Sequence, residues 1–169
     1  LCFSLLGEHQ IINAAVALTV IDFLIDLGYQ ITSQSVREGL LRTKWPGRIE
    51  VMNKNPLVIF DGAYNPHGAL ALARAIKNNF QYEKLIIVLG VLADKDIKGI
   101  LRHLMPIADQ LIITKPSNER AVEPENVKIL ADHIFTGSIF LETKINKALE
   151  TALSQADRKD LICVTGSLY

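Results

Sequence analysis

The sequence predicts an α/β protein with a Rossmann-like, mostly parallel sheet, one antiparallel edge strand, and two helices ahead of the sheet. Three observations carry this expectation. From residue 57 onward, short runs of Val, Ile and Leu alternate with segments of helical apolar spacing, as strands joined by crossover helices do. Two strand candidates, Ile49-Glu50-Val51-Met52 and Leu57-Val58-Ile59-Phe60, are separated only by Asn53-Lys54-Asn55-Pro56, too short a link for anything but an antiparallel hairpin. Ahead of both, residues 1–45 carry helical spacing alone.

Taken in order, Gly7 to Leu27 reads as a helix with an inner face of Ile11, Ala14, Ala15, Leu18, Ile21 and Ile25, and Gly28 ends it. A second helix follows, with Ser35 and Glu38 fitting a capping box. Trp45-Pro46-Gly47 breaks the pattern and is expected to be a packed hinge between residues 1–45 and 46–169. Beyond the hairpin, Leu85–Leu89, Leu111–Thr114, Ile139–Leu141 and Leu161–Thr165 are strand candidates. Helices are expected near 66–80, 97–106, 124–133 and 143–157. Leu70, Ala73, Ile76 and Phe80 form the inner face of the first of these, Pro124 opens the third and Thr143 caps the fourth. Right-handed crossovers then give a parallel sheet.

Composition narrows the function classes. At 169 residues and 49% hydrophobic, the chain can build a sizeable core. Eighteen basic residues balance eighteen acidic ones without clustering, so nothing marks a nucleic-acid binder. Cys2 and Cys163 are expected to be buried, reduced thiols, and no uninterrupted apolar run matches a bilayer span. The chain starts without Met and stops just after a predicted strand, so part of a longer cytoplasmic protein is expected.

Phosphate-loop, dinucleotide-glycine and nucleophile-elbow motifs are absent, and the four histidines lack metal-site spacing. Four constellations remain. His9 and Asn13 share a helix face, where a flat ring can stack on the imidazole while the amide reads its edge. Arg48 follows the Trp-Pro-Gly break and is the residue type best suited to phosphate oxygens. Asp61 stands at the carboxyl end of a buried strand, and Asn65-Pro66 opens the next helix. Tyr64, Asn65 and His67 therefore gather where open α/β sheets bind ligands. Leu89-Gly90-Val91-Leu92-Ala93-Asp94-Lys95-Asp96 marks another strand end, where Lys95 can meet an anion. The bland readings are, in turn, an amphipathic helix, a solvated Arg, a turn-stabilising Asp and a surface Lys. Local sequence alone leaves them open.

Together the motifs resemble the C-terminal part of the folylpolyglutamate synthase/dihydrofolate synthase family, in the Mur-ligase superfamily. The resemblance spans essentially the whole chain. It rests on Gly7-x-His9-Gln10-x-x-Asn13-Ala14-Ala15, Trp45-Pro46-Gly47-Arg48, Asp61-Gly62-Ala63-x-Asn65-Pro66-His67, Asp94-Lys95-Asp96 and Thr165-Gly166-Ser167-Leu168-Tyr169, in the family's order. It implies an ATP-dependent ligase that activates a folate or dihydropteroate carboxylate as an acyl phosphate, which the amino group of L-glutamate attacks.

By the same resemblance, Asn13 contacts adenine with His9 beside it, Arg48 holds phosphate, and Asp61 lies near the ribose or the reaction centre. Tyr64, Lys95 and Ser167 line the folate or glutamate side. Tyr64 departs from the family's usual His and cannot titrate near neutral pH as His does. The resemblance also implies that residues 1–45 are the helical tail of an N-terminal ATPase domain, which holds the phosphate loop and the Mg2+ ligands. No metal ligand is expected in this chain, which alone is expected to be inactive. Another Mur-superfamily ligase, or a non-catalytic nucleotide-binding module, is the alternative.

Overall fold

A computed structural model describes residues 4–167; Cys2, Leu168 and Tyr169 lie outside the described residues. The elements are α1 (Glu8–Asp26), α2 (Ser33–Arg42), β1 (Glu50–Lys54), β2 (Leu57–Phe60), α3 (Pro66–Asn79), β3 (Leu85–Gly90), α4 (Ile97–Leu104), β4 (Gln110–Thr114), α5 (Pro124–Ala131), β5 (Ser138–Glu142), α6 (Ile145–Gln155) and β6 (Leu161–Thr165). The six strands form one sheet in the order β1-β2-β6-β3-β4-β5. β1 pairs antiparallel with β2 at one edge, and every other pairing is parallel. The predicted sheet and its antiparallel edge strand are therefore present.

Side chains alternate across the strands and so serve two layers. Ile59, Ile87, Leu89, Ile113 and Cys163 face the layer of α3, α4 and α5, whereas Val58, Ile86, Val88, Ile112 and Ile162 face Ala148 and Ala152 of α6. Full burial of each large aliphatic side chain contributes about 1.5–3 kcal/mol. Cys163 lies in this core as a free thiol, its pKa pushed well up by burial. The last strand, β6, inserts between β2 and β3. The chain thus leaves β2 on one side of β6 and re-enters the sheet on the other, and such switch points open a crevice at the strands' carboxyl ends.

Several local expectations need correction. The second helix starts earlier than its supposed cap: Thr32 accepts the Ser35 N–H at 3.1 Å, so Ser35 is inside the helix, and Glu38 faces Gln34 and Arg42. Lys144, not Thr143, stands at the α6 N-cap, without a side-chain cap. The inner face of α3 is Ala69, Leu72, Ala73, Ala75 and Ile76, with Leu70 only half-buried. Trp45 is 63% exposed, so the hinge is not packed within this chain.

The largest difference concerns α1. Gln10 is its one buried residue, while Ile11, Val16, Phe23 and Ile25 of its apolar surface are exposed. With 19 residues and a mean hydropathy of 1.4, it is long and apolar enough to cross a bilayer by length and composition alone, although Asn13, Thr19 and Asp22 interrupt its apolar run.

Candidate functional site

Three separate pieces of chain converge on one cavity of about 280 Å³: His9 and Asn13 from α1, Arg48 from the loop before β1, and Asp61, Tyr64, Asn65 and His67 from the end of β2 and the start of α3. Gly7 precedes α1 at φ +104°, and a Cβ there would lie 2.6 Å from His9 Cε1. Only glycine lets the imidazole fold back over this turn. Asn13 follows one turn later, and its amide donates to Gln10 Oε1 at 3.0 Å. At the other wall Asn65 accepts the Gly68 N–H at 2.7 Å, and Pro66 fills the first helical position. This fixes the N-terminus of α3, with its partial positive charge, beside the cavity.

Asp61 is 6% exposed. Its Oδ2 accepts the Ile49 N–H at 3.0 Å and its Oδ1 the Ala63 N–H at 2.9 Å. Burial pushes its pKa up, against the opposing pull of those two hydrogen bonds and of the Arg48 and His9 charges. Burial also lowers the pKa of His9; Asp61 works against that shift, while Arg48 and His67 reinforce it. A neutral imidazole beside a cation suits stacking and hydrogen bonding.

Lys95 and Ser167 do not line this cavity. Lys95 stands one layer out: its ammonium lies 5.2 Å from the centre of the Tyr64 ring and 2.7 Å from Asp94 Oδ2. Asp94 also meets Arg120 at 3.6 Å, and its pKa is lowered chiefly by the Lys95 hydrogen bond. Ser167 follows β6, two residues beyond Thr165, whose hydroxyl donates to Ala63 O at 3.4 Å. The predicted sites thus form an inner set of His9, Asn13, Arg48, Asp61 and Tyr64, and an outer set containing Lys95.

The sequence placed His67 at this strand end, and it lines the cleft; two other participants were not read as part of the site. Arg120 reaches Asp94 because Ala93 N–H donates to Arg120 O at 2.8 Å, a long-range pairing no local motif announces. Ile49 was read only as a strand residue.

Among the described residues, no three His, Cys, Asp or Glu side chains gather as metal ligands, and both Asp61 oxygens are occupied by backbone N–H groups. These residues do not fit a metal site. A larger groove of about 700 Å³ between α1 and α2 is lined by aliphatic residues such as Leu18, Ile21, Ile25 and Val36. Asp22, Ser33 and Arg37 also line it, but none of the motif residues His9, Asn13, Arg48 or Asp61 does.

The architecture is that of a parallel α/β domain whose polar cleft lies at a strand-end switch point, walled partly by a preceding helix. The family described as Mur ligase, glutamate ligase domain matches residues 47–168, and the chain belongs to it. The chain is 35% identical over 154 residues to the dihydrofolate synthase/folylpolyglutamate synthase of Mycobacterium tuberculosis, spanning 89% of this chain and 32% of that protein. It also matches the crystal structure of Mycobacterium tuberculosis folylpolyglutamate synthase complexed with ADP and AMPPCP, at TM-score 0.89 and 34% identity. That match covers 98% of this chain and 39% of the other. A bifunctional folylpolyglutamate synthase/dihydrofolate synthase structure with Mn, AMPPNP and L-glutamate bound matches at TM-score 0.83 and 29% identity, over 98% and 38% of the two chains. This chain therefore spans about a third of the length of these relatives.

Proposed function

We propose that this chain is the glutamate-ligase part of a cytoplasmic ATP-dependent carboxylate–amine ligase that joins L-glutamate to a folate or to dihydropteroate. The observation that carries the reading is the convergence of His9, Asn13, Arg48 and Asp61 on one open cleft in a member of this family. At about 280 Å³ the cleft is at the small end of ligand pockets, as expected of half a site. Residues 1–45 belong, on this reading, to a nucleotide-binding domain in the remainder of the protein. That domain, not this chain, holds Mg2+.

In the reaction, a substrate carboxylate oxygen attacks the γ-phosphorus of ATP and ADP leaves. The glutamate amine then attacks the acyl phosphate, loses its proton, and phosphate departs. Asn13 reads the adenine edge and neutral His9 stacks beside it. Arg48 is given a bidentate role on the transferring phosphoryl oxygens, where its fixed charge lowers the barrier without reorganisation. Asp61 keeps this wall in place or meets the ribose. Tyr64 supports Lys95 on the side of the anionic substrate, a packing task that needs no proton transfer.

Replacing Arg48 by Ala in the full-length protein should lower kcat by about 100-fold or more. The assay is glutamate-dependent phosphate release, with unchanged circular dichroism as the control. Wild-type activity in the variant would leave Arg48 a surface charge. A full-length protein active only with another acceptor would favour a different Mur-superfamily ligase. A cleft of Asp61 and Arg48 blocked by packed side chains would have favoured the non-catalytic module, and the cleft is open.

A further inference from the structure

We propose that Asp61 is a positioning residue that presents Arg48 to the cleft by holding Ile49 in the left-handed backbone region. Ile49 has φ +51°, the one positive value at a non-glycine among the described residues, and a β-branched side chain makes that conformation unfavourable. Something must hold it there. Its N–H points inward to Asp61 Oδ2 at 3.0 Å, and its side chain is 3% exposed. The other Asp61 oxygen is tied to Ala63 N–H at 2.9 Å, so the carboxylate cannot swing aside.

A second rung lies on the other side of Arg48: Gly62 N–H donates to Gly47 O at 2.8 Å. Gly47 is itself left-handed at φ +68°, and its N–H donates to Glu50 Oε2 at 2.8 Å. Both neighbours of Arg48 are thus bonded to the end of β2 or to β1, while its guanidinium forms no salt bridge among the described residues. The placement of Arg48 comes from the backbone, and the backbone is held by Asp61.

The functional consequence rests on the reading of Arg48 as a phosphate-binding residue; the latch itself does not. Two experiments separate them. In the 169-residue chain, Asp61→Asn should speed amide exchange at Gly62 as well as Ile49 by at least about tenfold, while β3 amides stay protected. Gly62 donates to Gly47 and not to Asp61, so its release reports the loop. Asp61→Glu keeps the charge but displaces the oxygens, and should do the same. Unchanged Gly62 protection in folded variants would overturn the latch.

In the full-length enzyme, Asp61→Asn should lower kcat with little change in KM for ATP, and should add nothing to Arg48→Ala. Multiplying effects, or a rise in KM for ATP alone, would show that Asp61 meets the nucleotide directly and would overturn the positioning role. A wild type without ligase activity would overturn the functional reading and leave the exchange result to decide the latch.

Discussion

Asp61 and His9 share one cleft and respond to burial in opposite directions. Burial raises Asp61 above its ordinary 3.8, so the folded chain holds that proton more tightly than the unfolded chain. The stability linked to it is complete below the unfolded value and is lost as pH rises through the native one. His9 is lowered from 6.5, so its contribution is present above that value and is lost as pH falls through the native pKa. Asp61→Asn should therefore remove a fall in stability above pH 3.8, on top of a pH-independent loss from the broken latch. His9→Gln should remove an acid-side loss below pH 6.5. Urea midpoints measured across that range check both, and parallel pH profiles for wild type and variants would contradict them. The sequence told where Asp61 stands but not what it holds, because the Ile49 N–H it accepts comes from a loop whose path no spacing rule describes.

At the scale of elements, the strands were legible because each is a short run of aliphatic residues, and the sheet's edge because a four-residue link permits only a hairpin. Helix starts were read less well. Thr32 caps α2 by accepting the Ser35 N–H with its own side chain, and Lys144 stands at the α6 N-cap without a side-chain cap. The turn after β6 shows a backbone constraint that composition hides. Gly166 lies at φ +101°, and a Cβ there would stand 2.3 Å from Gly90 O. Gly166→Ala should cost at least about 1–3 kcal/mol, measured by urea denaturation.

Helix α1 is the element whose periodicity misled. Its apolar residues occur on all sides, so the inner face read from spacing finds no core in this chain. On the proposed reading, protein from the rest of the ligase covers it. The 169-residue chain should then bind a hydrophobic dye strongly, and the full-length protein only weakly. Equal dye binding by the two would contradict that.

For the whole molecule, the fold follows from alternation, length and turn chemistry, and the family from five motifs standing in order. The joining of three of those motifs into a cleft required the three-dimensional path, since His9, Arg48 and Asp61 come from a helix, a loop and a strand end. Charge balance already spoke against nucleic-acid binding, and the missing glycine fingerprint against a dinucleotide site at the strand ends. On the proposed reading, this chain supplies one wall of a two-walled ligase site. The most direct measurement is phosphate release with ATP, L-glutamate and either dihydropteroate or tetrahydrofolate, run side by side on the full-length protein and on the 169-residue chain. Glutamate- and pterin-dependent release is expected from the full-length protein and none from the shorter chain. Release by the shorter chain alone, or none by the full-length protein with either acceptor, would contradict that reading.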